Sequence, residues 1–282
     1  MENSKTLLNN DSDYFAYKAL SASQIKTYAT SGAYDFWKTS VFNPDKKPEE
    51  ETDALIFGKL AHCMLFEPEE LEKRFLILDW GTKTRGTKKY TDAKAENPNM
   101  TIVSPAEYER AGTMLSCLRD HRLAREIIKG AYCEKPILWT DETTGLPMKC
   151  KIDAFKRTPY GIVIIDYKTS SDIEGVLRRA EKFQYPLQDC TYCDAAKAKY
   201  GEEPVEFVFI IQSNKEGEED KICVANVDVE SKFYARDIYE STKREIDTRL
   251  KQWEETKDPT IWAAYPERMT IGYSSWYLDN GY

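Results

Sequence analysis

The chain of 282 residues is 41% hydrophobic, enough to bury a sizeable core, and carries a formal charge of -8 at pH 7. That charge argues against a protein that coats DNA non-specifically, because neutralisation of phosphates is the main source of such affinity. Local binding stays open, since an acidic protein can keep its positive charge on one inner surface.

Several features predict a cytoplasmic protein without a membrane segment. Met1 to Lys5 lacks the basic and apolar regions of a signal peptide, and no apolar stretch approaches membrane-spanning length. The seven cysteines are an odd number without the pattern of a disulfide scaffold, which suits a reducing compartment. Cys190 and Cys193 could form half of a zinc site, but no second pair at ligand spacing completes it, and their helical setting favours ordinary packing.

The N-terminal part of the chain is predicted to be mainly helical. Ser21 and Gln24 stand at capping-box spacing and open the first helix. The next helix, which carries His62, is predicted to start near Asp53 and to end by Pro68.

Two further helices are predicted before the strands begin. Ser104, Pro105 and Glu107 combine an N-cap, a proline at N1 and an acid at N3, so a helix runs from there to about Leu118. A second helix follows and ends at Gly130.

The middle of the chain is predicted to form a sheet. Its strands are predicted at about Cys133 to Thr140, Met148 to Lys156, Gly161 to Tyr167, Val205 to Gln212 and Ile222 to Val229. Helices are predicted from Ile173 through Tyr200, with a break at Pro186, and from Ser231 to Glu255. This order predicts an α/β (α+β) fold, with a central mixed β-sheet flanked by helices.

No linker rich in Pro, Ser or Gly divides the chain, and we expect one domain over residues 1–282. Its parts are a mainly helical segment 1–130, a sheet core 131–230, and a C-terminal helix with an aromatic tail, 231–282. We expect the tail to pack on the body of the protein or on a neighbouring subunit. The tail's aromatic residues are Trp262, Tyr265, Trp276 and Tyr277.

Asp153 and the tripeptide Asp166-Tyr167-Lys168 each close a strand-like run. The turn at 158–161 makes the two strands neighbours, so both carboxylates reach one edge of the sheet. Because side chains alternate along a strand, Asp166 and Lys168 point to the same side and Tyr167 points away.

Two carboxylates and an amine are the groups that a metal-dependent phosphodiesterase uses for catalysis. Mg²⁺ prefers oxygen ligands and usually takes one or two protein carboxylates, leaving its other positions to water and phosphate. One or two ions would lower the pKa of water and stabilise the leaving oxygen, while the amine orients the attacking water. A lone Asp-x-Lys is more often a surface salt bridge, and these residues alone leave that alternative open.

Three further features favour the catalytic interpretation, although each has a structural alternative. His62 lies in an apolar helix-like segment and is either a hydrogen-bonded core histidine, or a metal ligand or phosphate contact. Gln188 and Tyr192 share one helical face and are either ordinary polar residues or part of the site. Glu134 opens a run that would lie beside Asp153, and by itself it is only a surface acid.

Two basic segments are candidates for contact with a DNA backbone. The segment 81–90 contains two glycines and no acid, and is either a solvated loop or a loop that grips phosphates. Its basic residues are Lys83, Arg85, Lys88 and Lys89. Arg178 and Arg179 are the second candidate, with a solvated helix face as the alternative.

The order of these residues resembles the PD-(D/E)XK nuclease superfamily, and the upstream His and downstream Gln-x-x-x-Tyr resemble its RecB-like branch. From about Leu20 to the C-terminus, the chain more narrowly resembles the phage-type exonuclease VIII (RecE) nuclease domain. This narrower resemblance is carried by Leu20 to Lys26, Phe57-Gly58-x-x-x-His62 and Thr144-Gly145-x-x-x-Lys149-x-Lys151-x-Asp153.

The chain departs from the related sequences in two segments. Ser31-Gly32 stands where branches with an iron-sulfur cluster have a Cys, so no such cluster is expected. The segment from Asp79 to Thr101 matches only loosely.

The resemblance implies a restriction-endonuclease-like core and a Mg²⁺-dependent exonuclease that degrades linear double-stranded DNA from 5′ to 3′ in phage-type recombination. It also implies a ring-shaped homo-oligomer, a single-strand annealing partner, and a bacterial or phage-infected host cell.

The resemblance also implies roles for the residues of the candidate site. Asp153, Asp166 and the main-chain carbonyl of Tyr167 would hold one or two Mg²⁺ ions, which Mn²⁺ could replace, with His62 as a further ligand. Lys168 would position the water. The supporting residues are Glu134, which would orient Lys168 or a metal-bound water, and Gln188 and Tyr192, which would touch the substrate backbone.

Two other functions stay open from the sequence. One is an endonuclease or a single-strand-specific nuclease on the same scaffold. The other is a non-catalytic nucleic-acid-binding protein on a dead nuclease fold, which is disfavoured because no acid or lysine of the set is missing.

Overall fold

The computed structural model describes residues 11–47, 51–82, 84–133, 136–178 and 184–265, with the single positions 182, 268 and 272. The α-helices in these ranges are α1 (Asp11–Ala16), α2 (Ala22–Thr39), α3 (Asp53–Phe66), α4 (Leu71–Arg74), α5 (Lys88–Glu96), α6 (Pro105–Asp120), α7 (Arg122–Ile128), α8 (Ile173–Arg178), α9 (Tyr185–Tyr200) and α10 (Val229–Thr256). Short 3₁₀ helices span Pro68–Glu70 and Pro259–Trp262.

The strands form one larger sheet and two strand pairs. They are β1 (Phe75–Ile77), β2 (Thr101–Val103), β3 (Tyr132–Cys133), β4 (Ile137–Thr140), β5 (Pro147–Cys150), β6 (Ala154–Thr158), β7 (Gly161–Ser170), β8 (Glu206–Ser213) and β9 (Ile222–Ala225). The larger sheet has the order β3-β6-β7-β8-β9, and β1-β2 and β4-β5 are separate pairs. Within the larger sheet β7 and β8 are parallel and the other neighbours are antiparallel. The predicted mixed sheet flanked by helices is therefore confirmed.

The predicted capping box at Ser21 and the predicted N-cap at Ser104 both start their helices, and the second is also a capping box. The backbone N–H of Ser21 donates to Gln24 Oε1 at 3.1 Å, at the start of α2. The backbone N–H of Ser104 donates to Glu107 Oε2 at 2.8 Å, and Ser104 Oγ accepts from the Glu107 N–H, at the start of α6. These local hydrogen bonds satisfy donors that the first helical turn leaves free.

Helices cover both faces of β7, which explains its nearly continuous apolar run. Ile165 and Tyr167 face a core built with α3 and α6. Ile162 and Ile164 face the opposite core, which includes residues of α8 and α9. The strand that carries the Asp-Tyr-Lys tripeptide is thus held rigidly between two packed layers.

A third apolar cluster joins α2, α10 and the β4-β5 pair to the C-terminal segment. Trp262 is buried and stacks on Trp37 with ring centroids 4.4 Å apart, whereas Tyr265 is exposed. A buried ion pair between Lys243 and Asp141 ties α10 to the end of β4. Trp276 and Tyr277 of the predicted tail lie outside the described residues.

The predicted strand from Met148 to Lys156 is two strands in different sheets. β5 pairs with β4, and β6 pairs with β7. The chain bends between them, and Asp153 lies at that bend. The predicted strand from Cys133 to Thr140 is divided in the same way between β3 and β4. Strand propensity alone does not show which partner each half will find.

Three of the described helices, α1, α4 and α5, were not predicted from the sequence. α5 begins inside the segment predicted as a basic loop, where the Thr87 side chain accepts a hydrogen bond from the Tyr90 N–H. Among the described residues, each helix is too short or too polar to cross a membrane.

Candidate active site

The candidate site lies where β6 separates from β7. The pairing of these strands ends at Ala154 and Ile165, and among the described strands the rest of β7 pairs with β8 alone. Asp153, at the bend before β6, takes the next position, and its Oδ2 accepts a hydrogen bond from the Tyr167 N–H at 2.9 Å. The edge of β7 that β6 leaves unpaired, among the described strands, therefore faces a cleft. The Asp153 carboxylate is hydrogen-bonded to this edge.

Asp166 is the buried centre of the site, with no exposed surface. Its Oδ1 accepts a hydrogen bond from Gln188 Nε2 at 2.5 Å, and its Oδ2 lies 2.5 Å from Lys168 Nζ. Tyr167 points to the other face of β7, where its hydroxyl donates to Gln212 Oε1 at 2.7 Å. The alternation of the strand thus separates the ion pair from a structural tyrosine.

His62 reaches the site from α3, on the Tyr167 side of the sheet. Its Nε2 lies 3.1 Å from Asp153 Oδ1. Burial disfavours the charged imidazole, but the adjacent carboxylate of Asp153 outweighs that effect and raises the pKa of His62. The contact links the helix to the bend, so His62, Asp153, Asp166 and Lys168 lie in one connected set.

The two aspartates have different electrostatic surroundings. Burial raises the pKa of Asp166 to about 6, and the charge of Asp153 acts in the same direction, against the opposing ammonium of Lys168. Burial also disfavours ionised Asp153, but His62 and Lys168 outweigh it, so the pKa of Asp153 is lowered. Two carboxylates close together in a buried place repel each other, and a cation would relieve that repulsion.

The donor atoms fit a hard divalent cation. Asp166 Oδ2 and His62 Nε2 are buried and make no hydrogen bond of regular geometry, although each lies at ion-pair distance from a neighbour, Lys168 and Asp153 respectively. Within the described part of the chain, no group of three His, Cys, Asp or Glu side chains could hold a metal ion. Mg²⁺ usually needs only one or two carboxylates, since water and substrate phosphate complete its shell. Asp153 and Asp166 supply that number of carboxylates.

Adding Mg²⁺ or Mn²⁺ should raise the melting temperature, and by more at about pH 7.5 than at about pH 5. The raised pKa of Asp166, about 6, means that its carboxyl holds a proton at the lower pH, and this proton competes with the cation. Saturation at ~100 times the dissociation constant would add about 2.7 kcal/mol to the free energy of unfolding. Differential scanning calorimetry of wild type and Asp166→Asn tests this, and an equal increase in both proteins would contradict the ligand role.

Two clefts meet at Lys168. The first has a volume of about 520 Å³ and lies beside α2; none of the described residues that line it is acidic. Its basic lining residues are Lys26, Lys46, Lys149, Lys151 and Lys168. The second has a volume of about 1060 Å³, lies along α3, and is lined by His62 and Asp153 among others. A protein with a net charge of -8 therefore keeps a local positive surface next to its carboxylates.

Lys26 belongs to this site, and sequence reasoning missed it. Its Nζ donates to Gln188 Oε1 at 3.3 Å, so Gln188 bridges Lys26 and Asp166. Burial and the nearby charge of Lys168 lower the pKa of Lys26 to about 8. Its place in the segment from Leu20 to Lys26, which carries part of the resemblance, was the available signal. The contact itself depends on how α2 packs on α9.

The other predicted site residues do not all line the two clefts. Gln188 and Tyr192 both line the first cleft, and the Tyr192 ring packs on Phe207 with centroids 5.6 Å apart. The predicted residues Glu134, Lys83 and Arg179 lie outside the described residues.

The prediction that Arg85 grips phosphates needs correction. Its guanidinium lies 2.5 Å from Asp53 and 2.6 Å from Glu107, and its side chain is only 13% exposed. The two carboxylates neutralise the charge and tie the start of α3 to α6, so Arg85 has a structural role.

The remaining basic candidates also lie away from the two clefts, judged by the described lining residues. Lys89 donates to the Asp79 carbonyl at 2.5 Å, and Arg178 lies 3.3 Å from Glu174 on the same helix. Lys88 is exposed. The geometry favours the cleft lysines as phosphate contacts over these surface residues.

Comparison with solved structures shows a related fold. The crystal structure of a candidate exonuclease from Eubacterium rectale superimposes with a TM-score of 0.56 and covers 100% of this chain and 98% of that one. The two sequences are 14% identical, so the likeness concerns the fold. No curated protein matches the chain significantly.

The sequence itself matches a family over most of its length. Residues 21–263 match the family described as a PDDEXK-like domain of unknown function (DUF3799). The matched segment starts at the N-cap of α2 and includes His62, Asp153, the Asp166-Tyr167-Lys168 tripeptide and Gln188. The chain therefore belongs to this PDDEXK-like family.

Proposed function

We propose that the protein is a metal-dependent nuclease that hydrolyses phosphodiester bonds in DNA. One observation carries the proposal: Lys168, which pairs with the buried Asp166, lines a cleft that has four other lysines and no acid among its described lining residues, and it also lines the adjoining cleft that contains Asp153. Lysines bind phosphates, and the carboxylate pair suits a cation that would act on one of them. A surface salt bridge would not require a fully buried aspartate.

Asp153, Asp166 and the carbonyl of Tyr167 are the groups that would hold the cation. When bound, it supplies positive charge that activates water and stabilises the leaving oxygen. The Tyr167 N–H holds Asp153, and Gln188 holds Asp166. Both carboxylates are therefore oriented before any ligand arrives, which lowers the cost of reorganisation.

Lys168 would act as a charged donor. Burial disfavours its ammonium form, but the carboxylates of Asp166 and Asp153 outweigh that effect, and the pKa of Lys168 is raised. The group therefore stays protonated at neutral pH, which makes it unsuited to serve as a general base. It would orient the attacking water and stabilise the negative charge that builds up on the phosphate.

The lysines of the first cleft would hold the DNA backbone near this centre. Lys26 touches Gln188, and Lys151 lines both clefts together with Lys168. Their charge would draw a phosphate toward the two aspartates, and each contact would be weakened by salt.

We further propose an exonuclease of the exonuclease VIII (RecE) type, which degrades linear double-stranded DNA from 5′ to 3′ with Mg²⁺. The motifs that carry the resemblance support this type, and the Eubacterium rectale protein, which is described as a candidate exonuclease, supports only the exonuclease part of the proposal. A single domain over residues 1–282, a ring-shaped homo-oligomer, a role in recombination with an annealing partner, and a cytoplasmic location stay predictions.

The test compares end-labelled linear duplex, nicked circles, closed circles and single strands, with Mg²⁺ and with EDTA. A 5′ to 3′ exonuclease should release the 5′ label first from the linear duplex, leave closed circles intact and require the metal. Cleavage of closed circles would show an endonuclease, and cleavage of single strands alone a single-strand-specific nuclease. Binding without cleavage in every divalent cation would support the dead-nuclease alternative.

A further inference from the structure

The short helix α1 places an exposed aromatic ring at the junction of the two clefts. Phe15 is 59% exposed. It lines the first cleft and also the second. Among the described residues, Lys151 and Lys168 also line both clefts. The ring therefore lies between the cleft lined by the lysines and the cleft lined by Asp153.

Lys149 anchors α1 through hydrogen bonds to main-chain carbonyl groups. This lysine is only 3% exposed, and its Nζ donates to the carbonyl oxygens of Tyr14 at 2.7 Å, Phe15 at 3.2 Å and Tyr17 at 2.8 Å. These are carbonyls at the end of the helix, where cations are favourable. A buried ammonium that satisfies three main-chain acceptors is a specific anchor for a helix of only six residues.

Tyr14 completes the anchor and fixes the direction of Phe15. The Tyr14 ring is buried, with the Lys149 ammonium 5.0 Å from its centroid. The Phe15 ring meets it edge to face, with centroids 5.4 Å apart. Tyr14 is thus buried, and its contact holds the exposed ring of Phe15 in a fixed orientation.

The surroundings of Phe15 suit a nucleobase. Lysines on one side would bind the phosphates of a strand, and the aspartates on the other side would face the bond to be cut. Bases of any sequence stack on aromatic rings, because every base has a π-face.

We propose that Phe15 is a stacking platform for an unpaired base of the strand that enters the site, with Lys149 as the residue that positions it. The choice of a nucleic-acid ligand rests on the proposed nuclease function. The platform would favour strands with a frayed end or a single-stranded overhang, since a base inside a duplex already stacks on its neighbours.

The test uses duplex DNA with a short overhang that carries the fluorescent base 2-aminopurine. Binding is measured in a Lys168→Ala background without divalent cation, so that the strand is not cut. Stacking on Phe15 should quench the fluorescence. Phe15→Ala should remove the quenching and weaken binding of the overhang by about 5- to 150-fold, the loss expected for one base stack, whereas Phe15→Trp should keep both.

Phe233→Ala is the matched control, because this phenylalanine is 74% exposed on α10 and is not among the described lining residues of either cleft. It should bind and quench like the parent. Lys149→Met should reduce quenching even though the Phe15 side chain is still present. If Lys149 served only to stabilise the β4-β5 pair, quenching by Phe15 would not change.

Each outcome decides a different claim. If wild type cleaves DNA and Phe15→Ala quenches as strongly as its parent, the platform is wrong and the nuclease proposal stands. If wild type cleaves no DNA but quenching still needs Phe15, the nuclease proposal fails and the platform stands. If the protein binds no DNA, both are wrong.

Discussion

Lys168→Ala should lower the rate of DNA cleavage by at least about 10²- to 10³-fold, the usual effect of removing one electrostatic donor from an active site. The ammonium lies 2.5 Å from Asp166 Oδ2, and the carboxylates raise its pKa, so the protein supplies a permanent positive charge at that point. Alanine removes this charge and leaves Asp153 and Asp166 in place. Divalent cation binding should therefore be largely retained.

Lys232→Ala is the matched control for this variant. Lys232 also pairs with a buried carboxylate, that of Asp189 at 2.9 Å, but neither residue is among the described lining residues of the two clefts. It should cleave DNA at the wild-type rate. Full activity of folded Lys168→Ala would remove the ammonium from the mechanism.

Asp153→Asn and Asp166→Asn should each abolish both cleavage and cation binding. Charge stabilisation by a bound cation amounts to several kcal/mol, and every ~1.4 kcal/mol is tenfold in rate, so a loss of at least about 10³-fold is expected. The neutral amide keeps the shape of the side chain but lacks the charge that attracts Mg²⁺. Single-turnover cleavage and isothermal titration with Mg²⁺ measure the two effects separately.

Asp189→Asn provides the control for loss of a buried carboxylate outside the clefts. It should retain cleavage and cation affinity, even if its melting temperature falls because Lys232 loses its partner. Unchanged Mg²⁺ affinity in Asp153→Asn or Asp166→Asn would contradict the ligand role of that residue. Loss of affinity with retained cleavage would instead separate the metal from the chemistry.

The distribution of charge in this protein agrees with a local binding surface. Forty-eight acidic residues outnumber forty basic ones, yet the described lining of the first cleft includes five lysines and no acid. Such segregation would attract a polyanion to one place on a protein whose net charge is negative. Cleavage should accordingly depend on salt more steeply than the net charge suggests.

Local patterns were enough to predict much of the architecture. The capping boxes at Ser21 and Ser104 marked two helix starts, since the bonds involved join residues three apart. Alternation along β7 placed Asp166 and Lys168 on one side and Tyr167 on the other, because a strand has a period of two.

Those local patterns could not predict contacts between segments that are far apart in the chain. Arg85 was predicted as a phosphate contact, and only the approach of α3 to α6 shows that Asp53 and Glu107 neutralise it. Lys26 meets Gln188 across 162 positions of the chain. A partner at that distance leaves no periodic signal in either segment.

Neighbouring residues were sufficient to predict the order of the acids, amine and histidine, and the strand and helices that carry them, because propensity, capping and alternation act over a few residues. The bend at Asp153, the lysines that line the first cleft, and the contact of Lys149 with α1 became visible in the folded protein alone. These features depend on which surfaces pack together, and packing is set by the shape and burial of the whole chain.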